Sequence, residues 1–390
     1  MAKNQQIILI SGEASGDLHG AHLVEQLKKL KPNIAFSGLG GPKMEQAGVK
    51  LYEDLTRFAV VGFVEVLKHL RDFKRIFKMI LNQIEALQPA AVILIDYPGF
   101  NLRLAKAIKT KWPHLKIIYY ISPQIWAWKE NRVQLIRSVV DKMLVILPFE
   151  KEFYAKHGIN VEFVGHPLLE YLQNTNTSDY FFQKYNLSKD KYTIALLPGS
   201  RQKEVEKLLP IMLKTAQLLY QDNNKLQFIL IQAPTVEKTV INDCLADTTI
   251  PVKVIAKENY EAIHAAQLCI VASGTATLEI AIQQKPMVII YKTSFLTWLM
   301  AKCLVKIPYI GLVNVIAQKK IVPELIQSDA DPVKIARELK DLYSNELRLA
   351  DMKSELKKVR MSLGNLKASE TAAKNIIDFI PELNDSPSQK

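Results

Sequence analysis

A turn rich in potential anion-binding groups follows the apolar run Ile194–Leu197. It reads PGSR, and a charged, helix-forming segment begins directly after it. The guanidinium of Arg201, the neighbouring Ser200 and the free N–H groups of a helix start suit a diphosphate, which has more oxygens and more charge than a carboxylate. An ion pair between Arg201 and Glu204 on the same helix is the alternative, and such exposed pairs are common and weak.

A glycine-rich segment, SGEASGDLHGA, follows the first apolar run and opens a helix. Its glycines lack the GxGxxG spacing of dinucleotide-binding loops, and no GKS or GKT marks a P-loop. The glycines still allow a ligand to approach the backbone, and Glu13, Ser15 and Asp17 would then face that ligand. In the structural alternative, Ser15 caps the helix and Asp17 stabilises its N-terminal dipole.

A carboxylate stands directly after a buried strand in the segment IDYPGFNLRLAK. Asp96 is the first residue after that strand, and the Pro98-Gly99 pair that follows predicts a turn. A carboxylate at the carboxyl end of a strand is well placed to act as a general base. We favour that role for Asp96 over a turn-forming one, and Asn101 either orients a ligand or caps the next helix.

Two tryptophans lie in the short loop of the segment YYISPQIWAWKENRV. Trp126 and Trp128 stand close to Gln124 and Arg132, again after a predicted strand. Because exposing tryptophan to water is unfavourable, the pair indicates either the wall of a ligand site or a plug in the core.

The segment VASGTATLEIAI has a strand, a Ser-Gly-Thr turn and a helix. Backbone N–H groups at Ser273, Gly274 and Thr275 suit phosphate oxygens. Glu279, one to two turns into the helix, could accept hydrogen bonds from two adjacent hydroxyls such as those of a ribose. The alternative is a capped helix with an exposed glutamate.

The candidate site residues follow short apolar strands, which must position them. These predicted strands alternate with helical patterns along the whole chain. Continuously apolar strands between helices predict parallel sheets that are covered on both faces. The two series of strands predict an α/β protein with two doubly wound, Rossmann-like domains. The predicted strands are Ile7–Ile10, Ala91–Ile95, Lys116–Ile121, Met143–Leu147 and Val161–Val164, then Thr193–Leu197, Gln227–Ile231, Val252–Ile255, Leu268–Val271 and Met287–Tyr291.

The polar, turn-rich stretch Asn174–Tyr180 marks the predicted division between the domains. We predict an N-terminal domain over residues 1–172, a C-terminal domain over 173–345, and helices over 346–390 that pack back toward the N-terminal domain. Ligands of doubly wound sheets bind beyond the carboxyl ends of the strands, so two facing domains would form a cleft there.

The composition limits the class of protein. The 390 residues are 48% hydrophobic and 23% charged, as in folded globular proteins, and the net charge of +12 favours an anionic partner. Cys244, Cys269 and Cys303 have no CxxC spacing, which argues against a disulfide framework and a zinc site. No signal peptide and no membrane-spanning run is expected, since charges and Pro308 interrupt the most apolar stretch.

The segment Arg57–Ile80 combines an apolar, aromatic face with a basic one. Such a helix is typical of a membrane-surface element, although packing against a sheet is the commoner use of an amphipathic helix. The density of aromatic and basic residues favours partial membrane contact. The predicted apolar face consists of Val60, Phe63, Val64, Leu67, Leu70, Phe73, Phe77 and Ile80.

Seven motifs in order resemble those of the lipid-A-disaccharide synthase family. They are SGEASGDLHGA, GGPKMEQAG, IDYPGFN, ISPQIWAWKENR, VGHPL, LLPGSRQKEV and SGTATLEIA, and the resemblance extends from Ile7 to the C-terminal helices. It implies a glycosyltransferase-B fold and an inverting transfer that needs no metal and no cofactor. The implied donor is UDP-2,3-diacylglucosamine, the acceptor is 2,3-diacylglucosamine 1-phosphate, and the products are a β-1,6-linked disaccharide phosphate and UDP.

The resemblance also implies roles and a location. The PGSR turn would hold the diphosphate, Glu279 the ribose and SGTAT the phosphate, while Asn314 matches a position near the nucleotide. Glu13, Ser15 and Asp17 would line the acceptor side, and Asp96 would be the base for the 6-hydroxyl. The enzyme would be cytoplasmic and peripheral on the inner membrane, with no nucleic-acid partner.

One departure from the family concerns the base. Many members carry a second carboxylate where this chain has Gly99, so Asp96 remains the candidate base, with Asp17 and Glu13 as substitutes.

Two rival functions are a UDP-sugar 2-epimerase of the same fold and a nucleic-acid-binding role. The second is disfavoured because the basic residues are spread over helices and no nucleic-acid motif is present.

Overall fold

Buried apolar strands build two parallel sheets. In the computed structural model, residues 5–59, 70–172, 178–293, 298, 307–365 and 367–383 are described. The chain divides into two units, one of Met1–Pro167 with Gly364–Lys390 and one of Leu168–Leu363. The predicted α/β architecture with two doubly wound sheets is confirmed.

The first unit contains a seven-stranded sheet in the order β3-β2-β1-β4-β5-β6-β7, all parallel. Reversal of the strand order between β1 and β4 is the topological switch point at which such sheets bind ligands. The elements are β1 Gln6–Ser11, α1 Ala14–Leu30, β2 Ala35–Gly40, α2 Pro42–Gln46, β3 Lys50–Asp54, α3 Thr56–Ala59, α4 Leu70–Leu87, β4 Ala91–Ile95, α5 Pro98–Lys111, β5 Lys116–Tyr120, α6 Ile125–Trp128, a 3₁₀ turn Glu130–Arg132, α7 Val133–Val139, β6 Lys142–Val145, α8 Pro148–Lys156 and β7 Glu162–Phe163.

The second unit contains a six-stranded parallel sheet in the order β10-β9-β8-β11-β12-β13. Its switch point lies between β8 and β11, which precede the PGSR and SGT turns. The elements are α9 Leu168–Tyr171, α10 Asp179–Lys184, β8 Tyr192–Leu197, α11 Gln202–Asp222, β9 Leu226–Ile231, α12 Lys238–Leu245, β10 Val252–Ile255, α13 Asn259–Ala265, β11 Leu268–Ala272, α14 Ala276–Ile282, β12 Met287–Tyr291, α15 Leu312–Ala317, β13 Glu324–Ile326, α16 Pro332–Ser344 and α17 Glu346–Ser362.

The C-terminal helices divide between the units. Helix α17 packs against α14, α15 and α16 and stays with the second unit. The last helix, α18 (Ala368–Phe379), packs against α1 of the first unit and is followed by a 3₁₀ turn at Pro381–Leu383. The predicted segment 346–390 therefore does not act as one piece, and the return to the first unit comes at Gly364.

The described part of the basic, aromatic segment belongs to the core of the first unit. Ile76 and Ile80 of α4 are fully buried, and the rings of Phe73 and Phe77 lie 6.4 and 5.7 Å from that of Phe100. For Phe73, Phe77 and Ile80 the predicted membrane-facing role is therefore corrected to packing on the sheet. Val60, Phe63, Val64, Leu67 and the side chain of Leu70 lie outside the described residues. Within the described ranges, no helix is long and apolar enough to cross a membrane.

Candidate functional site

Neighbouring strands of the first unit bring candidate residues to one edge of the sheet. Ser11 at the end of β1 pairs with Ile95 at the end of β4, which in turn pairs with Tyr120 at the end of β5. Glu13 and Asp96 follow the first two strands, and the tryptophan loop follows the third. The parallel register therefore gathers at one edge groups that lie more than 100 residues apart in the sequence.

Asp96 lies in a strained turn that is held by hydrogen bonds. It and Tyr97 have φ angles of 44° and 49°, a left-handed region that costs a non-glycine residue about 1–3 kcal/mol. The Asp96 carbonyl accepts hydrogen bonds from Asn101 Nδ2 at 2.7 Å and from Tyr119 Oη at 2.6 Å. Strain of this kind persists where the surroundings fix it, and these hydrogen bonds hold the Asp96 backbone in this conformation.

The surroundings of Asp96 favour its protonated form. Burial, together with the negative charge of Glu13, raises the pKa of Asp96 from 3.8 to about 7, although the Tyr97 N–H donates to the carboxylate and opposes the change. A carboxylate with a pKa near neutral pH is both basic enough to accept a proton and ionised enough to be available. The position and the raised pKa of Asp96 are therefore compatible with the predicted role of a general base, which stays a prediction.

Glu13 and Ser15 are exposed at the start of α1, beside Asp96. Glu13 occupies the N-cap position, and no side-chain hydrogen bond caps the helix, so Ser15 is not the cap that the structural alternative required. A Cβ atom at Gly12 would meet the ring of Tyr97, and one at Gly20 would lie 3.0 Å from Ile95 Cδ1. The glycines of this segment thus let α1 and the Asp96 turn pack closely.

Asp17 has a structural role. It is 3% exposed, and its carboxylate accepts hydrogen bonds from the N–H groups of Gly41 at 2.8 Å, Met44 at 3.0 Å and Lys43 at 3.0 Å. These donors lie at the start of α2, so Asp17 satisfies the free N–H groups of that helix. This occupied carboxylate is not retained as a substitute base.

Asn101 also acts on the protein itself. It is fully buried, and its Nδ2 donates to the carbonyls of Ile95 at 3.2 Å and Asp96 at 2.7 Å. The N-cap of α5 is Tyr97, so the capping role proposed as an alternative does not apply. Asn101 instead positions the turn that carries Asp96.

The tryptophan loop is hydrogen-bonded to Glu150, a residue that was not among the predicted site residues. Trp126 Nε1 donates to Glu150 Oε1 at 3.2 Å, and the N–H groups of Leu147 and Ile146 donate to Oε2 at 3.0 and 3.3 Å. Burial raises the pKa of Glu150 to about 7, against the effect of these donors. The Pro-x-Glu sequence after β6, which places Glu150 at the third residue of α8, is the signal that identifies this capping glutamate.

The remaining residues of this loop differ in exposure. Gln124 is exposed, Trp126 and Arg132 are half-buried, and Trp128 is 48% exposed. The ring of Trp126 packs edge-on against Phe149 at 4.8 Å. Trp126 therefore has features of both predicted alternatives, a core plug and the wall of a ligand site, because its ring packs against Phe149 and the residue is only half-buried.

In the second unit, the PGSR turn presents Ser200 and Arg201 at the start of the long helix α11. Both are exposed, and Arg201 is the N-cap residue. Gly199 has a φ of +116°, a conformation that favours glycine. The side chain of Thr235 fixes the turn by donating to the Ser200 carbonyl at 2.6 Å.

A carboxylate occupies the N–H groups of this turn. Glu204 accepts hydrogen bonds from the N–H groups of Ser200 and Arg201, and burial outweighs these donors and the charge of Arg201 in raising its pKa. This is the capping arrangement of a glutamate at the third helical position. Glu204 is thus bound through backbone N–H groups, no ion pair with the Arg201 guanidinium is formed among the described residues, and an anion at these N–H groups would displace the Glu204 carboxylate.

The SGT turn lies after β11, the neighbour of β8. Gly274 has a φ of +155°, and a Cβ atom there would meet no atom within 4 Å, so the turn is open. Thr275 is exposed, whereas the Ser273 hydroxyl donates to the Ile310 carbonyl at 2.8 Å. Burial raises the pKa of Glu279 to about 7, and no hydrogen bond to its carboxylate is formed by the described part of the chain. Glu279 thus remains available for hydroxyl donors.

Asn314 uses its full hydrogen-bonding capacity within the second unit. Its Nδ2 donates to the Val322 carbonyl at 3.0 Å and to Glu324 Oε1 at 2.8 Å, and its Oδ1 accepts from the N–H groups of Ile321 and Val322 at 2.9 and 3.0 Å. Glu324 also accepts from the N–H groups of Ile310 and Gly311. The Asn314 side chain thus shapes the loop beside Ser273, and its predicted position near the nucleotide stays a prediction.

Across the described ranges, no group of three or more His, Cys, Asp or Glu side chains has the arrangement of a metal site. Cations at these sheet edges include the exposed Arg201 in the second unit and the half-buried Lys129 and Arg132 in the first.

Comparisons with known proteins cover nearly the whole chain. A family model described as lipid-A-disaccharide synthetase matches residues 7–377. Lipid-A-disaccharide synthase 1 of Legionella pneumophila (strain Paris) is 42% identical over 98% of this chain and 100% of the relative. The lipid-A-disaccharide synthase of Syntrophus aciditrophicus (strain SB) is 43% identical over 94% of this chain and 96% of the relative.

Solved structures with the same fold have little sequence in common with this chain. UDP-GlcNAc 2-epimerase from Neisseria meningitidis bound to UDP-GlcNAc has a TM-score of 0.66 at 12% identity, covering 96% of this chain and 100% of that one. The calicheamicin glycosyltransferase CalG4 has a TM-score of 0.62 at 13% identity, covering 99% and 100%. The predicted glycosyltransferase-B fold is thereby confirmed, and at such identities the likeness concerns the fold alone.

Proposed function

The chain belongs to the lipid-A-disaccharide synthase family, and from this premise we propose how its residues carry out the reaction. It is a glycosyltransferase that uses a UDP-sugar donor and a lipid acceptor. The epimerase alternative is not favoured, because the likeness to epimerases is one of fold at 12% identity. The substrates of the family are UDP-2,3-diacylglucosamine and 2,3-diacylglucosamine 1-phosphate.

We assign the donor to the second unit. Arg201 and the N–H groups at the start of α11 bind the diphosphate and stabilise the charge that develops on UDP as it leaves. The open turn at Gly274 and Thr275 accommodates phosphate oxygens, and Glu279 accepts hydrogen bonds from the ribose hydroxyls. Support comes from the exposure of Arg201 and from the partly buried Glu279 carboxylate, which has no partner in the described residues.

We assign the acceptor to the first unit, with Asp96 as the base. The 6-hydroxyl oxygen of the acceptor attacks the anomeric carbon of the donor, the bond between that carbon and the UDP oxygen breaks, and the hydroxyl proton passes to Asp96. A single displacement inverts the anomeric centre and gives a β-linkage. The observation that carries this assignment is the strained, hydrogen-bonded turn that presents Asp96 with a pKa of about 7.

We also propose that the protein is peripheral on the cytoplasmic face of the inner membrane, because both family substrates carry acyl chains. The contact is assigned to the apolar residues between 60 and 69, since Phe73, Phe77 and Ile80 pack in the core. Co-sedimentation with anionic vesicles tests this. Phe63→Ser/Leu67→Ser should reduce binding, and undiminished binding by the folded variant would place the contact elsewhere.

The reaction itself is tested by mixing the purified protein with both lipid substrates and measuring UDP release and disaccharide. Arg201→Ala and Asp96→Asn should reduce both products, and Lys111→Met, which removes an exposed ion-paired cation, serves as the matched control. Conversion of UDP-N-acetylglucosamine to its 2-epimer, without disaccharide formation, would instead support the epimerase alternative.

A further inference from the structure

Two cations project from one turn beside the candidate acceptor site. The N–H of Arg132 donates to the Lys129 carbonyl at 3.0 Å in the 3₁₀ turn that follows α6. This hydrogen bond joins the two ends of one turn, so Lys129 and Arg132 lie close together along the chain. Both residues are half-buried, and their proximity is also evident electrostatically, because Arg132 adds to the effect of burial in lowering the pKa of Lys129.

Neither cation has a carboxylate partner in the described part of the chain, whereas other lysines of this unit do. Lys109 lies 2.7 Å from Asp141, and Lys111 lies 2.8 Å from Glu85. The carboxylate of Glu130, which stands between the two cations in the sequence, lies 3.3 Å from His157 Nε2. Two adjacent positive charges without a counterion repel each other, and a bound anion would remove that repulsion.

An exposed aromatic ring adjoins the pair. Lys129 Nζ lies 3.9 Å from the ring centroid of Trp128, and Trp128 is 48% exposed. The ring therefore holds the ammonium group in place by a cation–π interaction and offers apolar surface beside it. Cations next to an exposed indole complement a ligand that has both a phosphate and an apolar part.

The pair lies at the same sheet edge as the candidate base. The charge of Arg132 acts on Tyr119, whose Oη donates to the Asp96 carbonyl at 2.6 Å. A ligand that contacts both the pair and the Asp96 carboxyl group needs an anionic group for the two cations and a hydroxyl for the carboxyl group. A phosphorylated sugar meets this description.

We propose that Lys129 and Arg132 bind the phosphate monoester of the acceptor sugar, with Trp128 in contact with the adjoining acyl chain. This inference rests on the proposed function, because it identifies the part of the acceptor that the first unit recognises. The phosphate oxygens accept hydrogen bonds from the ammonium and guanidinium groups, and this contact holds the acceptor at the first unit.

The test compares two acceptors that differ only in the 1-phosphate, presented in micelles of a neutral detergent. Loss of one charge-assisted hydrogen bond weakens binding about 10- to 100-fold, so the wild-type acceptor KM should rise by at least that factor when the phosphate is absent. The variant Lys129→Met/Arg132→Gln should have the same weak KM for both acceptors. Its kcat should change little, because the lost interaction is made equally in ground and transition states.

Two single variants serve as controls. Lys111→Met, at the far end of α5, should keep the wild-type preference, and the charge-conserving Lys129→Arg should keep most of it. Equal preference for the phosphorylated acceptor in wild type and in Lys129→Met/Arg132→Gln would overturn the proposal. A wild type that releases no UDP with either acceptor would instead refute the proposed function.

A bilayer phosphate is the other source of the same chemistry. Co-sedimentation with anionic vesicles should be unchanged in Lys129→Met/Arg132→Gln if the pair binds the acceptor. Loss of vesicle binding with an intact preference for the phosphorylated acceptor would assign the pair to membrane phospholipids and overturn the proposal.

Discussion

The assignment of Asp96 as the base predicts a specific dependence of rate on pH. A base acts in its deprotonated form, so kcat should rise as the pH increases through the pKa of Asp96, which is about 7. About one tenth of the carboxyl groups are ionised one pH unit below the pKa and about nine tenths one unit above it, so kcat should increase roughly tenfold from pH 6 to pH 8. Asp96→Asn should lower kcat by about 10²–10⁴-fold and abolish this dependence.

Removing the charge of Glu13 tests the pKa of Asp96 more specifically than Asp96→Asn does. It contributes to the raised pKa of Asp96, after burial, so Glu13→Gln should move the acidic limb of the kcat profile to lower pH. The limb should stay above pH 3.8, because burial remains. Glu25→Gln, which makes the same charge change further along α1, is the matched control, and its limb should not move.

The assay is UDP release at saturating substrates from pH 5 to pH 9, with circular dichroism at each pH to confirm folding. Glu279 also has a pKa of about 7, but it is assigned to the donor ribose, so Glu279→Gln should raise the donor KM and keep the kcat limb. A limb that survives in Asp96→Asn would show that another group is the base. An unshifted limb in Glu13→Gln would refute the electrostatic reasoning.

The raised pKa of Asp96 also predicts how the free energy of unfolding depends on pH. The folded protein binds the Asp96 proton more tightly than the unfolded chain, so stability is greatest below pH 3.8 for this group and falls as the pH rises from 3.8 to about 7. The loss amounts to at most about 4 kcal/mol at pH 8. Asp96→Asn removes this loss, so its melting temperature should exceed that of the wild type by more at pH 8 than at pH 5.

The remaining predictions concern the donor, position 99 and metal ions. Arg201→Ala should reduce turnover by more than about tenfold, since a charge-assisted hydrogen bond contributes about 1.5–3 kcal/mol, and normal turnover would refute the donor assignment. Glu204→Gln keeps a capping side chain but removes its charge, so UDP measured by calorimetry should bind up to about fivefold more tightly, whereas weaker binding would contradict displacement of this carboxylate. Gly99→Asp places a carboxylate where a Cβ atom meets nothing within 4 Å, so the melting temperature should not fall; a large gain in kcat would move the base to position 99. EDTA should leave UDP release intact, and a loss that magnesium or manganese restores would show a metal requirement.

Much of the fold could be predicted from the sequence, because its central strands are continuous apolar runs. Strands β2, β3 and β13 were not predicted. The first has the sequence AFSGLG, in which glycine and serine interrupt the apolar pattern, and the other two contain charged residues. These segments are strands because they form hydrogen bonds with neighbouring strands of the sheet, and the local sequence does not show that pairing. The same holds for α17, whose partners α14, α15 and α16 decide which unit it joins.

For the site, the sequence predicted residue types and their place after strands, but not what the side chains contact. Asp17 and Asp96 are both aspartates in loop-proximal segments. Asp17 receives three backbone N–H donors from α2, which stabilise its charge and occupy its oxygens. Asp96 receives one, from Tyr97, and faces Glu13. The donors to Asp17 come from residues 24 to 27 positions away, so no local pattern distinguishes a structural carboxylate from a catalytic one.

The same distinction separates polar groups that shape the fold from polar groups that remain available to a ligand. Hydrogen-bond donors lower the energy of a carboxylate, and anions or acceptors lower that of a cation. Where the chain saturates a polar group, as at Asp17 and Asn314, the group shapes a loop. Where the described residues supply no hydrogen-bond donor, as at Glu279, or no carboxylate partner, as at Lys129 and Arg132, the group keeps its capacity for a ligand. Under the proposed roles, substrate binding at Glu279, Lys129 and Arg132 would add interactions that the described residues do not make by themselves, and it would offset an energetic cost of the same kind as that of the buried Asp96 carboxylate.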